Sequence, residues 1–270
     1  PVLSFINDQA INEDTSLSLT LFADDIDGDN LYFSAETSDD ASISINANEL
    51  SVSPNQDFHG TLEITVSVTD TELSDSQTFL LTVSSVNDSP VLSFISDQQI
   101  NEDESLSIQI DAVDVDTDEL SYGADLISGS GSVSLDENNL VFVPSLDWFG
   151  EVSINVTVSD GEFLVEQEFN ILVSAVNDSP LVSDSTVELD EDNSISFDIN
   201  VSDVDNDTTE LTVLLLSSPN LGTLTVDGLT ATYIANLDAN GNDTVEFKVS
   251  DGNSSSNSGY VNITINAVND

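Results

Sequence analysis

A chain of 270 residues carries 52 Asp and Glu against a single Lys or Arg, for a formal charge of −51, with no Cys and no Met. Nucleic-acid binding is excluded, because it replaces phosphate counterions with Lys and Arg and the chain has only Lys248. Disulfides and Cys-ligated zinc are excluded too, and apolar runs such as Val213–Leu216 fall far short of the ~18 residues a membrane span needs. With almost no basic partners, the carboxylates must be solvated, screened by salt or neutralised by bound cations.

In chain order, the first apolar segment is Pro1-Val2-Leu3-Ser4-Phe5, followed by Asn12-Glu13-Asp14. Leu17, Leu19 and Leu21 then alternate with Ser and Thr, the period-two mark of a half-buried strand. After Asp25, Asp27 and Asp29 come short runs at Leu31–Phe33, Ile43–Ile45 and Leu50–Val52, and a turn carrying Asp57. Two longer strands follow, Leu62, Ile64, Val66, Val68 and Phe79, Leu81, Val83, separated by a loop with Asp70 and Glu72. The unit closes on Val86-Asn87-Asp88-Ser89-Pro90, and the order then starts again at Val91-Leu92-Ser93-Phe94.

Alternation returns at Leu106, Ile108, Ile110 and Ala112, then at Val152–Val158 and Phe169, Ile171, Val173, before Val176-Asn177-Asp178-Ser179-Pro180. The third pass has Ile195, Phe197, Ile199, Val201, then Val245, Phe247, Val249, then Val261, Ile263, Ile265, and ends on Val268-Asn269-Asp270. The period of about 90 residues predicts three tandem units, 1–88, 89–178 and 179–270. Each is an all-β, Greek-key, Ig-like sandwich of about seven strands, with the three end to end. Both ends of the sequence fall inside the recurring junction, so it is expected to be cut from a longer array.

Acidic residues return at matched places in the three units. They are the early Glu13, Glu102 and Glu191; an Asp-x-Asp-x-Asp run at Asp25/27/29, Asp114/116/118 and Asp203/205/207; and a mid-unit turn with Asp57, Asp147 and Asp238. The loop before the last strand carries Asp70, Asp160 and Asp251, and the junctions carry Asn87-Asp88, Asn177-Asp178 and Asn269-Asp270. In a sandwich alternate loops share an end. The Glu and mid-unit turns of one unit should therefore meet the Asp-x-Asp and pre-final loops of the next across a short linker. Hard oxygen donors without His or Cys favour Ca²⁺, which takes six to eight oxygens at about 2.3–2.6 Å, over Mg²⁺.

These motifs, with Val-Thr-Asp or Val-Ser-Asp before the last strand, resemble the cadherin-like repeats of large bacterial surface and secreted proteins. Those repeats are similar in outline to animal cadherin ectodomains. The resemblance covers all three units and implies interdomain Ca²⁺. Carried over, the first junction uses Glu13, Asp57, Asn87, Asp88, Asp114, Asp116 and Asp160, and the second Glu102, Asp147, Asn177, Asp178, Asp203, Asp205 and Asp251. Val86 and Val176 stand where the animal linker has another acid, and the animal Asp-x-Glu turn becomes Asn55-Gln56-Asp57, Ser145-Leu146-Asp147 and Asn236-Leu237-Asp238. The expectation is therefore one to three ions per junction. Half-sites at the two ends (Asp25, Asp27, Asp70; Glu191, Asp238, Asn269, Asp270) are expected to bind weakly or not at all.

An EF-hand reading of Asp25–Glu36 fails because Asn30, not Gly, stands at position six and no flanking helices are visible. Trp148-Phe149 and Phe58 read as rings plugging the ends of the sandwiches rather than as a sugar platform, and His59 as a loop residue. No catalytic constellation is visible, and the chain is expected not to be an enzyme. The implied role is a calcium-stiffened segment, extracellular or at a bacterial cell surface. Its partners are the neighbouring repeats, with polysaccharide or another surface protein as the further possibility, and with no direct membrane insertion.

Overall fold

A computed structural model of the chain describes residues 1–116 and 119–269. Among the described residues there are strands and no helix. In the first unit the strands are β1 (Val2–Leu3), β2 (Gln9–Asn12), β3 (Leu17–Thr20), β4 (Ala23–Asp24), β5 (Tyr32–Glu36), β6 (Ala41–Asn46), β7 (Glu49–Pro54), β8 (Gly60–Thr69) and β9 (Ser74–Ser84). One sheet has the order β2-β9-β8-β5 and the facing sheet β3-β7-β6, which together make the seven strands expected of an Ig-like sandwich.

The remaining two segments arise because the first strand changes sheets. Val2 and Leu3 pair antiparallel with Asp24 and Ala23, whereas Gln9–Asn12 runs parallel to Leu81–Ser84. Where the chain crosses, side chains substitute for the missing ladder. Leu3 N–H donates to Asp75 Oδ2 at 2.8 Å, Ile6 N–H to Gln77 Oε1 at 3.0 Å, and Leu80 N–H to Asp8 Oδ1 at 2.8 Å. Asp97 and Asp184 accept from Asn170 and Tyr260 in the same way, both at 2.8 Å. These recurring carboxylates therefore serve the sheet.

The second unit repeats the plan with β10 (Val91–Leu92), β11 (Gln98–Asn101), β12 (Leu106–Gln109), β13 (Ala112–Val113), β14 (Ser121–Ser128), β15 (Gly131–Asp136), β16 (Asn139–Pro144), β17 (Gly150–Ser159) and β18 (Leu164–Ser174). The third does so with β19 (Leu181–Val182), β20 (Ser185–Asp190), β21 (Ser194–Asp198), β22 (Val201–Ser202), β23 (Thr212–Leu215), β24 (Gly222–Asp227), β25 (Thr230–Ala235), β26 (Gly241–Ser250) and β27 (Gly259–Asn266). Sheet orders are equivalent: β11-β18-β17-β14 with β12-β16-β15, and β20-β27-β26-β23 with β21-β25-β24.

The alternating residues read from the sequence form the cores. Leu62, Ile64, Val66 and Val68 of β8 and Phe79, Leu81 and Val83 of β9, neighbours in one sheet, face Leu50 and Val52 of β7 in the other, all buried. Val152, Ile154, Val156 and Val158 of β17, with Phe169, Ile171 and Val173 of β18, face Leu140 and Phe142 of β16 in the same way in the second. Each such side chain contributes roughly 1.5–3 kcal/mol through its burial.

The third core departs from this. Asp243, third in β26, takes the inward place of Leu62 and Val152, and Tyr233 in β25 takes that of Val52 and Phe142. Asp243 is only 4% exposed and accepts the Tyr233 hydroxyl at 2.9 Å, Leu221 N–H at 2.7 Å, Asn220 N–H at 2.9 Å and Thr244 N–H at 3.0 Å. Burial opposes its ionisation, but the Asn220 and Leu221 amides and the Tyr233 hydroxyl outweigh that and hold the carboxyl below its ordinary range.

Candidate functional site

Each sandwich ends in an acidic turn built by its own backbone. Glu13 N–H donates to Ser84 O at 2.9 Å, continuing the β2–β9 ladder one residue past the strand. The chain then reverses through Asp14, whose φ of 58° lies in the left-handed region that Asp tolerates better than most residues. The Glu13 side chain is thereby turned inward, 4% exposed, and Oε1 accepts Val86 N–H of the linker at 2.6 Å. Glu102 takes Val176 N–H at 2.6 Å and Glu191 takes Val268 N–H at 2.7 Å. The early glutamate of each unit thus clasps the segment leaving its own sandwich.

The mid-unit turn joins it. Asp57, Asp147 and Asp238 are also left-handed, with φ of 58°, 54° and 53°. Their N–H groups donate to Asp14 Oδ1 at 3.2 Å, Asp103 Oδ1 at 3.3 Å and Asp192 Oδ1 at 3.0 Å.

The following sandwich grips the same linker from its other side. Asp116 N–H donates to Asp114 Oδ1 at 2.8 Å, a tight Asx turn. Asp116 Oδ2 then accepts Asp88 N–H at 2.7 Å. Asp160 Oδ1 holds Glu162 and Phe163 N–H at 2.7 Å, and its Oδ2 accepts the Asn87 amide at 3.0 Å. At the second junction Asp205 Oδ2 accepts Asp178 N–H at 2.6 Å, and Asp251 Oδ2 accepts the Asn177 amide at 2.8 Å. Burial opposes the charge of Asp160, but the loop amides and Asn87 lower its pKa nonetheless; for Asp251, Ser254 N–H and the Asn177 amide do the same.

Carboxylates converge at both junctions, and at the second they come from both sides. Asp14, Asp57 and Asp88 each bring an oxygen within 4.8 Å of the others, and so do Asp103, Asp147 and Asp178. Glu102, Asp178 and Asp205 form a further group of the same tightness, so Asp178 is shared by two. Asp88 Oδ2, Asp114 Oδ2, Asp178 Oδ2, Asp203 Oδ2 and Asn206 Oδ1 are buried without any hydrogen-bond partner. Burial, then repulsion from Asp57, Asp116, Asp14 and Glu13, pushes the Asp88 carboxyl up; burial, then Asp147, Asp205, Asp103 and Glu102, does so for Asp178. Buried anionic oxygens are expensive unless paired or coordinating a metal. An all-oxygen set with orphaned lone pairs fits a hard divalent cation.

Of the residues nominated from the sequence, Asp57, Asp88, Glu102, Asp147, Asp178 and Asp205 lie in these groups. Glu13 and Asp116 are placed on linker amides, Asp114 and Asp203 anchor the Asx turns, and Asp160 and Asp251 hold Asn87 and Asn177. Asp14 and Asp103 were not nominated, yet they stand in the groups. Their signal was the position next to the early Glu, in a turn whose handedness alternation does not reveal. Asp25 Oδ2 and Asp70 Oδ2 lie 3.1 and 3.7 Å from the Pro1 amine. Asp118 and Asp270 lie outside the described residues. Trp148 and Phe58 pack against the cores of their sandwiches, whereas Phe149 and His59 are exposed.

Among the described residues no helix is long and apolar enough to cross a membrane. No curated protein matches the sequence. Among solved structures, the protocadherin fragment PcdhgB3 EC1-4 is 16% identical with a TM-score of 0.56, covering 99% of this chain and 76% of that one. Protocadherin Gamma B2 extracellular cadherin domains 1-5 are 14% identical with a TM-score of 0.50, covering 100% of this chain and 61% of that one. An I-band fragment of titin is 12% identical with a TM-score of 0.40, covering 98% and 97%. At such identities the first two likenesses speak for the fold alone, that of tandem Ig-like and cadherin-like sandwiches. The sequence profile of the bacterial Ig domain matches residues 1–82, 87–171 and 177–264, and the chain belongs to that family, in three tandem copies.

Proposed function

We propose that the chain is a calcium-rigidified stalk or adhesion segment of a bacterial surface or secreted protein. The observation that carries this reading is the pair of buried, unpartnered oxygens, Asp88 Oδ2 and Asp178 Oδ2, in linkers gripped from both sides. When bound, Ca²⁺ would supply positive charge and six to eight coordination positions for such oxygens. Asp14, Asp57 and Asp88 would hold it at the first junction, and Glu102, Asp103, Asp147, Asp178 and Asp205 at the second.

The chain's own residues do the mechanical work. Glu13 ties Val86 to the first sandwich while Asp116 and Asp160 tie Asp88 and Asn87 to the second, so fixing the carboxylates fixes the two sandwiches relative to one another. Without a counterion the same groups repel and the junction loosens. A ligand that binds only the ordered arrangement stabilises it by mass action. Extracellular calcium modules work at about 10⁻⁴–10⁻³ M, so such a segment is ordered outside cells and loose in the cytosol. The charge of −51 also keeps parallel stalks apart.

Small-angle X-ray scattering with and without chelator tests this. The expected result is a shorter, broader distribution of end-to-end distances after chelation, restored by Ca²⁺. An unchanged profile and maximum dimension would remove the proposal.

A further inference from the structure

We infer that the residue before the glycine that opens β8, β17 or β26 (His59, Phe149 or Asn240) sets how freely each buried glutamate serves its junction. The junction between the second and third units would then load with a divalent cation before that between the first and second. This rests on the calcium reading above. The three positions are equivalent: each precedes a glycine that opens a ten-residue strand, with φ of 140° at Gly60, 142° at Gly150 and 124° at Gly241. His59 lies beside Glu13 and Asn240 beside Glu191, and Phe149 holds the equivalent place in the unit of Glu102; Glu13, Glu102 and Glu191 are 4%, 4% and 6% exposed.

In all three units Oε1 of that glutamate is occupied by a linker N–H, at 2.6, 2.6 and 2.7 Å. The second oxygen is treated differently. His59 Nδ1 stands 3.7 Å from Glu13 Oε2, and Asn240 donates to Glu191 Oε2 at 3.1 Å. Phe149 is a hydrocarbon ring with nothing to donate. The convergence follows the same order: Glu102 lies within 4.8 Å of Asp178 and Asp205, whereas the group at the first junction is Asp14, Asp57 and Asp88, without Glu13. A nitrogen facing a carboxylate oxygen competes with a cation for the same lone pairs, and the number of charged ligands tunes Ca²⁺ affinity. The second junction offers five carboxylates in two groups sharing Asp178, and the first offers three.

The chain's single Trp makes the two junctions separable, since Trp148 adjoins Asp147. Tb³⁺, an oxygen-seeking stand-in for Ca²⁺, should show emission sensitised through Trp148 when it enters the second junction. The first junction is read by Ca²⁺ calorimetry in an Asp178→Asn background. Phe149→His and Phe149→Asn are each expected to raise the Tb³⁺ midpoint about two- to fivefold, and His59→Phe to lower the calorimetric midpoint by a similar factor. Metal-free melting temperatures should not move, because all three side chains are exposed. Equal midpoints at the two junctions, or midpoints unmoved by these substitutions, overturn the inference and leave the calcium reading standing. A shift in metal-free melting as large as that in cation binding makes the role purely structural and also overturns it. Absence of cation uptake at both junctions removes the calcium reading and this inference together.

Discussion

Two aspartates, Asp243 buried inside the third sandwich and half-buried Asp178 between the second and third, show two ways of keeping a carboxylate oxygen out of water. Asp243 is surrounded by Tyr233, Asn220, Leu221 and Thr244, and its charge is fully hydrogen-bonded. Asp178 shares its space with Glu102, Asp103, Asp147 and Asp205, and its Oδ2 has no partner. Their pKa values accordingly move in opposite directions, down for Asp243 and up for Asp178. Burial alone therefore does not single out a candidate cation site; a buried oxygen that the protein leaves without a partner does. A completed network supports a core, and an incomplete one leaves lone pairs that the protein itself does not use.

The comparison can be broken most forcefully at Asp243. Asp243→Ala leaves the Tyr233 hydroxyl and the Asn220 and Leu221 amides without their acceptor, and is expected to cost the third sandwich about 3 kcal/mol in urea unfolding. The sign with pH follows from its depressed pKa. Its stabilisation is present above the unfolded carboxylate value of about 4 and is lost as pH falls through the folded value. The acid-side loss of stability should therefore be smaller in the variant than in the parent. A parallel acid limb in both would show that Asp243 is not the titrating support.

Asp178→Asn tests the other side. In chelator the variant should unfold at a higher temperature than the parent, because a repelled charge is gone. In calcium, cation affinity at the second junction should drop by about tenfold or more, with the first junction unchanged. A variant that is less stable in chelator would place Asp178 with Asp243 as a structural carboxylate. The smallest effect is expected at Asp97→Ala, which removes the acceptor for Asn170 N–H at the strand switch. An exposed hydrogen bond of this kind is worth about 0.5–1.5 kcal/mol, and calcium titrations should be unaltered. A change in cation midpoint there would blur the distinction between structural and site carboxylates.

Much was already visible in the chain. Leu62–Val68, Val152–Val158 and Phe169–Val173 alternate because a strand faces one core, and they are buried as that pattern requires. The recurrence of Asn87-Asp88 and Asn177-Asp178 located both junctions, and the acidic positions around them included most of the converging groups. Left-handed turns were not visible, which is why Asp14 and Asp103 went unnominated while Asp160 and Asp251, equally acidic and equally periodic, are engaged by Asn87 and Asn177. Nor could a carboxylate that closes a gap in a sheet, such as Asp8, be told from one that faces another carboxylate.

By itself the sequence determined the repeat, the strand period, the sandwich cores and the surplus of negative charge, since these are properties of residue type and spacing along one chain. Only the tertiary structure decided which oxygen of each carboxylate is spent on an amide and which is left over. That partition depends on where the backbone N–H groups of the linker fall when two sandwiches close on it from opposite sides, and no one-dimensional pattern encodes such an encounter.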